Sequence, residues 1–151
     1  MPTDPLAACR ARVHLNRDGY CYTADWSGRS YKHSELLGPS PACSNIGGFL
    51  AVVFRRETHK EIESLISWAY KQSLRVALFK EPGGSNSYEG WAWRMPNGSR
   101  RTQDFFWLSG EPNGGGGELT AAYFWKDGWA FGLADIPDMR MAALCMFPIN
   151  P

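Results

Sequence analysis

The sequence has no apolar run approaching the roughly 18 residues needed to cross a bilayer as a helix. It has no excess of either charge: 16 Lys and Arg stand against 15 Asp and Glu, a formal charge of +1 with the signs mixed along the chain. The electrostatic footprint of a nucleic-acid binder is therefore missing. No internal repeat or coiled-coil heptad is visible, and low complexity is confined to Gly114–Gly117. The opening Met1-Pro2-Thr3-Asp4-Pro5 lacks the basic and apolar regions of a signal peptide. That leaves an intracellular chain or a mature segment carrying an added Met1. No Cys-x-x-Cys or mixed Cys/His spacing points to structural zinc. Histidine is scarce: His14, His33 and His59 stand beside no nucleophile or acid at motif spacing. Each is read as a surface or capping residue, and an enzyme is not expected.

What the chain does have is concentrated between Trp91 and Trp129. This stretch holds five of the seven tryptophans, two glycine-containing turns and a dense set of oxygen acceptors. The acceptors are Glu111-Pro112-Asn113, then Glu118 after the glycine run. Trp91-Ala92-Trp93 alternates aromatic and small residues before Pro96-Asn97-Gly98, a strand entering a turn. Gly110 and Pro112 exclude a regular element around Glu111, and a loop of this length is either disordered or functional. Its aromatic density argues against disorder. Glu111, Asn113 and Glu118 are hard oxygen donors of the kind calcium takes in sets of six to eight. A cis Glu111–Pro112 bond, accessible at small cost, would turn the Glu111 and Asn113 side chains toward one centre. The other reading of these residues is a solvated loop in which they stabilise turns.

At 151 residues the chain is long enough for one core and too short for two. Its four cysteines allow three pairings, or stand as four reduced thiols. Asn16-Arg17-Asp18-Gly19 makes a hairpin turn, with Val13 and Leu15 alternating on the first arm and Tyr20–Ala24 as the second strand. Trp26–Pro41 holds Gly28, Gly38, Pro39 and Pro41 and reads as irregular. Phe49–Phe54 is a short apolar run suited to a buried strand. Thr58 and Glu61 form a capping-box pattern. Behind them, Ile62, Leu65, Ile66 and Ala69 make one apolar helical stripe. Leu74–Phe79, Leu119–Trp125 and Met141–Phe147 read as further strands, with a polar turn region at Lys80–Gly90 and a tight turn at Lys126–Gly128. Helices early and strands late give an α+β class. Arg100 and Arg101 are placed in a loop, read first as a solvated face and otherwise as a contact for an acidic glycan or a partner carboxylate. Asn97-Gly98-Ser99 matches an N-glycosylation sequon.

The order Trp91-x-Trp93, Trp107-x-x-Gly110-Glu111-Pro112-Asn113, Glu118, Gly128-Trp129 and a near-terminal Cys145 resembles a C-type lectin-like domain. The resemblance runs from Cys9 to Phe147. It implies one domain over residues 9–151 after an N-terminal extension over 1–8, with two helices, antiparallel sheets and a long irregular loop. It also implies the disulfides Cys9–Cys21, closing the hairpin of the long form, and Cys43–Cys145, tying the first helix to the last strand. A secreted or extracellular location follows from such disulfides. In this family Glu-Pro-Asn is associated with mannose-type sugars, and calcium ligands come from its Glu and Asn, a following Glu and a Trp-Asn-Asp motif. Glu111, Asn113 and Glu118 match the first three. At the fourth stand Trp129-Ala130-Phe131, apolar groups in place of an amide and a carboxylate. Asp135 or Asp138 is the candidate replacement. The family's second disulfide is missing, with Thr120 in the place of its first cysteine. Arg75-Val76-Ala77-Leu78 stands at the Trp-Ile-Gly-Leu core motif. Trp91, Trp93 and Trp107 match core tryptophans, while Phe105, Trp125 and Phe131 stay open between core and sugar stacking. The expected function is recognition of a glycan or glycoprotein by the long loop, with calcium as the expected ion. The alternative is a metal-independent module that binds a protein ligand.

Overall fold

The computed structural model describes residues 4–36, 42–80, 90–112, 120–126, 129–136 and 140–149. The chain opens with helix α1 (Pro5–Arg10). Asp4 caps it by accepting the Leu6 N–H at 3.2 Å, and Pro5 lies in the first turn, where no helical N–H is needed. This helix crosses the expected boundary at residue 8 and carries Cys9 into the core. The first arm of the hairpin is accordingly shorter than expected. Strand β1 is Leu15–Arg17, and Val13 lies outside it and exposed, because the Ala-rich segment before it takes helical structure instead. Strand β2 (Tyr20–Ala24) follows a two-residue turn in which Asp18 and Gly19 both have positive φ, 56° and 84°. That backbone matches the twist of the flanking strands.

Helix α2 (His33–Leu36) is a single short turn. Strand β3 covers only Phe49–Leu50, although Ala51, Val52 and Val53 continue it as buried backbone. The reason is a change of partner: the Ala51 N–H donates to Leu144 O at 2.9 Å, while Ala51 O accepts from the Ala77 N–H at 2.8 Å. Helix α3 (Arg56–Leu65) starts before Thr58, so the capping box does not form. Thr58 instead lies inside the helix and donates its hydroxyl to Asp18 Oδ2 at 2.6 Å, while Arg55 Nε donates to Asp18 Oδ1 at 2.6 Å. The hairpin turn takes the hydroxyl that local sequence offered to the helix end. Ile62 and Ile66 face the core, and the helix closes in a wide turn, Ile66–Tyr70, capped by Lys71 in the left-handed region.

The remaining strands are β4 (Leu74–Lys80), β5 (Trp91–Arg94), β6 (Arg100–Arg101), β7 (Thr120–Lys126), β8 (Trp129–Ile136) and β9 (Ala142–Pro148). Strand β9 joins the two halves of the sheet. It pairs antiparallel with β2 and β3, and parallel with β4 at Leu74↔Ala142 and Arg75↔Ala143. From β4 the sheet extends through β5 to β6 and, separately, into the β7–β8 hairpin. The result is an α+β fold with its helices set apart from a mixed sheet. Arg100 and Arg101 are not in a loop: they form β6, the end of the sheet path, opposite Arg94 and Trp93. Residues 81–89 of the expected polar turn lie outside the described residues. Cys9 is bonded to Cys21, and Cys43 to Cys145. Cys43 belongs to the turn after α2 rather than to a helix, because Cys43 itself has positive φ.

Candidate functional site

The segment that delivers Glu111 is laid against the sheet by aromatic packing and backbone hydrogen bonds. Trp93, fully buried on β5, donates its Nε1–H to Asp104 O at 3.0 Å. Trp91 meets Trp107 edge-on, with ring centroids 4.8 Å apart, and Phe105 meets the other side of that cluster at 6.3 Å. Such edge-to-face pairs add about 0.5–1.5 kcal/mol beyond their buried area. Trp107 bridges to Leu133 of β8, and the Leu108 N–H donates to Leu133 O at 2.8 Å. A turn through Gly110 (φ 86°) then lets the Glu111 N–H donate to Leu108 O at 2.9 Å. The Glu111–Pro112 peptide is cis, and Pro112 is buried.

Beneath this segment is a polar cluster that sequence reasoning missed. His59 of α3 is only 6% exposed, whereas a surface or capping histidine was expected. Its ring stacks on Phe106 at 5.1 Å and on Tyr123 at 5.5 Å. Nδ1 lies 3.0 Å from the Tyr123 hydroxyl, and Nε2 lies 2.9 Å from Glu63 Oε1. A carboxylate only accepts, so Nε2 donates to Glu63; in the neutral imidazole Nδ1 is then the acceptor, and the Tyr123 hydroxyl donates to it. Burial, and then the nearby Glu63, push the Tyr123 hydroxyl well above the usual tyrosine range, which keeps it a donor. The signal available in the sequence was the spacing of His59 and Glu63, four residues apart on one helix face.

The expected ligands fall unevenly on this frame. Glu111 is half-buried at the end of the pinned segment. Asn113, Glu118 and Asp138 lie outside the described residues. Asp135 sits within β8 opposite Ala121 and is 4% exposed. Trp129-Ala130-Phe131 opens the same strand, with Ala130 opposite Trp125. Among the described residues, no group of three or more His, Cys, Asp or Glu side chains could hold a metal ion. Thr120, in the place of the family's cysteine, is buried and accepts from Arg75 Nη1 at 2.7 Å. Arg75, in the place of the motif's tryptophan, is fully buried and also donates from Nε to Tyr31 O at 2.8 Å. Two departures from the family pattern have thus become partners of one another. Arg101 reaches Asp104 Oδ2 at 2.6 Å and is committed to the start of the loop segment.

No protein-family model matches the sequence, and no curated protein matches it. Solved structures do. The C-type lectin domain of murine dendritic cell inhibitory receptor 2, solved in complex with an N-glycan, superposes with a TM-score of 0.63 at 19% identity, over 89% of this chain and 95% of that one. A Ca2+-independent C-type lectin from Saxidomus purpuratus gives 0.63 at 16% identity, over 91% and 93%. A calcium-independent type II antifreeze protein gives 0.61 at 14% identity, over 89% and 91%. With Cys9–Cys21 and Cys43–Cys145 in place and the Glu111 segment pinned between β5 and β8, this chain has the C-type lectin-like fold.

Proposed function

We propose that the chain is an extracellular carbohydrate-binding module whose long loop, beginning at Glu111, recognises the vicinal hydroxyls of a mannose-type sugar. The observation that carries this reading is the position of the Glu-Pro-Asn motif. It follows directly on a segment held by Trp93, Trp107 and Leu108, so the loop starts from a rigid base. In this reading Glu111, Asn113 and Glu118 accept hydrogen bonds from sugar hydroxyls, and the same three side chains would hold calcium. The ion would supply coordination for two hydroxyls at once. Ala130 and Phe131 offer it no side-chain oxygen, which places its affinity at the loose end of extracellular modules, on the order of 10⁻³ M. An extracellular location is consistent with two disulfides, which persist in oxidising compartments.

A glycan array run with calcium and with chelator tests the reading. Mannose-type binding is expected with calcium, and an array blank under both conditions would end the sugar reading. A calcium titration to tens of millimolar should raise the melting temperature, since an ion that binds only the folded state stabilises it by mass action. Glu111→Gln should abolish that rise and leave the metal-free melt nearly unchanged. A second reading, metal-independent recognition of a protein ligand, is favoured by the apolar Ala130-Phe131 pair and by Trp68, 64% exposed on the turn after α3. Tryptophan is prominent among interface hot spots. Chelator-insensitive capture of one defined extracellular protein, lost in Trp68→Ala, would support it.

A further inference from the structure

The chain contains a single Asn-x-Ser/Thr sequence, Asn97-Gly98-Ser99, and the structure puts it at the tip of the β5–β6 hairpin. All three residues are exposed. The turn is closed by the Gly98 N–H donating to Met95 O and the Met95 N–H donating to Ser99 O, each at 2.9 Å. Gly98 has φ 88°, and a β-carbon there would meet nothing within 4 Å, so the space over the turn is open. The Asn97 carboxamide is set in one orientation. Its Oδ1 accepts from the Ser99 N–H at 2.9 Å and from the Ser99 hydroxyl at 2.6 Å. Its Nδ2 makes no hydrogen bond among the described residues.

From this arrangement we infer that Asn97 is an N-glycosylation site, accepting an oligosaccharide from a polyprenyl-diphosphate donor. The hydroxyl that bonds to Oδ1 belongs to the residue the sequon requires, and it leaves Nδ2 turned to solvent. In the transfer, a bond forms from Nδ2 to the anomeric carbon of the sugar as the bond from that carbon to the diphosphate oxygen breaks. The diphosphate leaves with the electron pair, and one Nδ2 proton passes to a base of the transferase; nothing is oxidised or reduced. The glycan has room where it is placed, since β6 ends the sheet path and, among the described residues, no further strand lies beyond it. An added sugar beside an open edge also blocks pairing with another chain. The inference rests on the extracellular reading above, because the donor and the transferase operate in the secretory lumen.

The test routes the full chain through the secretory pathway of a cultured eukaryotic cell. Both secreted and cell-retained pools are digested with peptide N-glycosidase in ¹⁸O-water, so a folding failure does not hide the result. The expected outcome is loss of one oligosaccharide mass and an ¹⁸O-labelled aspartate at position 97. Asn97→Gln and Ser99→Ala should each remove the glycan, and Ser99→Thr should keep it. A bare Asn97 in both pools overturns the inference. So does aspartate that forms equally without enzyme, the product of spontaneous deamidation at Asn97-Gly98. Disulfide mapping of the same samples separates the two claims. Intact Cys9–Cys21 and Cys43–Cys145 beside a bare Asn97 sinks the glycosylation site alone. A glycosylated chain with free thiols upholds the site and removes the support that the disulfides give the extracellular reading.

Discussion

His59 packs against the rings of Phe106 and Tyr123 and is held at both nitrogens, by Glu63 and Tyr123, so its removal is felt in α3, in β7 and in the segment that carries Phe106. His59→Ala should cost about 2–4 kcal/mol in chemical denaturation, from the cavity and the orphaned Tyr123 hydroxyl. The same substitution frees Phe106, and the Trp107 fluorescence should shift toward that of a solvated indole. The buried tyrosines set the alkaline limit. Burial raises the hydroxyls of Tyr22 and Tyr123 above their unfolded value, and Tyr22 donates to Val52 O at 2.7 Å. Above about pH 10 the unfolded chain loses these protons first, so stability present below that pH falls as pH rises further. Denaturation midpoints at pH 9 and pH 11 should differ in that direction, and Tyr22→Phe should shrink the difference. Little of this was legible in the sequence beyond the four-residue spacing of His59 and Glu63. A lone histidine carries no mark of burial, and Thr58 looked like a cap because its competitor, Asp18, lies 40 residues away.

Periodicity reveals an element when one neighbour decides its structure, and it misleads when a distant one does. Leu74–Phe79, Leu119–Trp125 and Met141–Phe147 were readable as strands because short, mainly apolar runs bounded by turn residues have few other uses, even with Arg75 and Thr120 inside two of them. Phe49–Phe54 was only half right, since its backbone leaves β9 for β4 midway. Arg100 and Arg101 were misread as loop because two arginines carry no strand signal, and β6 exists only through pairing with β5. At the candidate site the motif named Glu111, but the supports beneath it came from α3 and β8, far off in sequence. Gly48 shows how closely elements approach. A β-carbon there would lie 2.6 Å from Phe147 Cε1 and 3.0 Å from Met146 O. Gly48→Ala must push β9 or the Phe147 ring aside and should cost about 1–3 kcal/mol, read from the shift in denaturation midpoint.

At the scale of the whole molecule, the two disulfides differ in the length of chain they close, 12 against 102 residues. In the chain-entropy model a loop of roughly 15 residues gives about 3 kcal/mol and one of roughly 100 gives about 4.7 kcal/mol. Replacing Cys43 and Cys145 together by serine should therefore destabilise the fold more than replacing Cys9 and Cys21. Equal losses in a denaturant titration would show that native-state effects, not loop closure, govern both. The central place of β9 has a consequence in time. Tyr20 pairs with Pro148, and β3 and β4 also lean on the same late strand. During synthesis at about 5–20 residues per second, the first hairpin waits on the order of ten seconds for its sheet partner to emerge from the ribosome. Until then β2 has only β1 beside it, and Leu50 and Leu74 lack their β9 partners Cys145 and Ala142, so the nascent chain is a client for holding chaperones up to the moment residues 142–148 arrive.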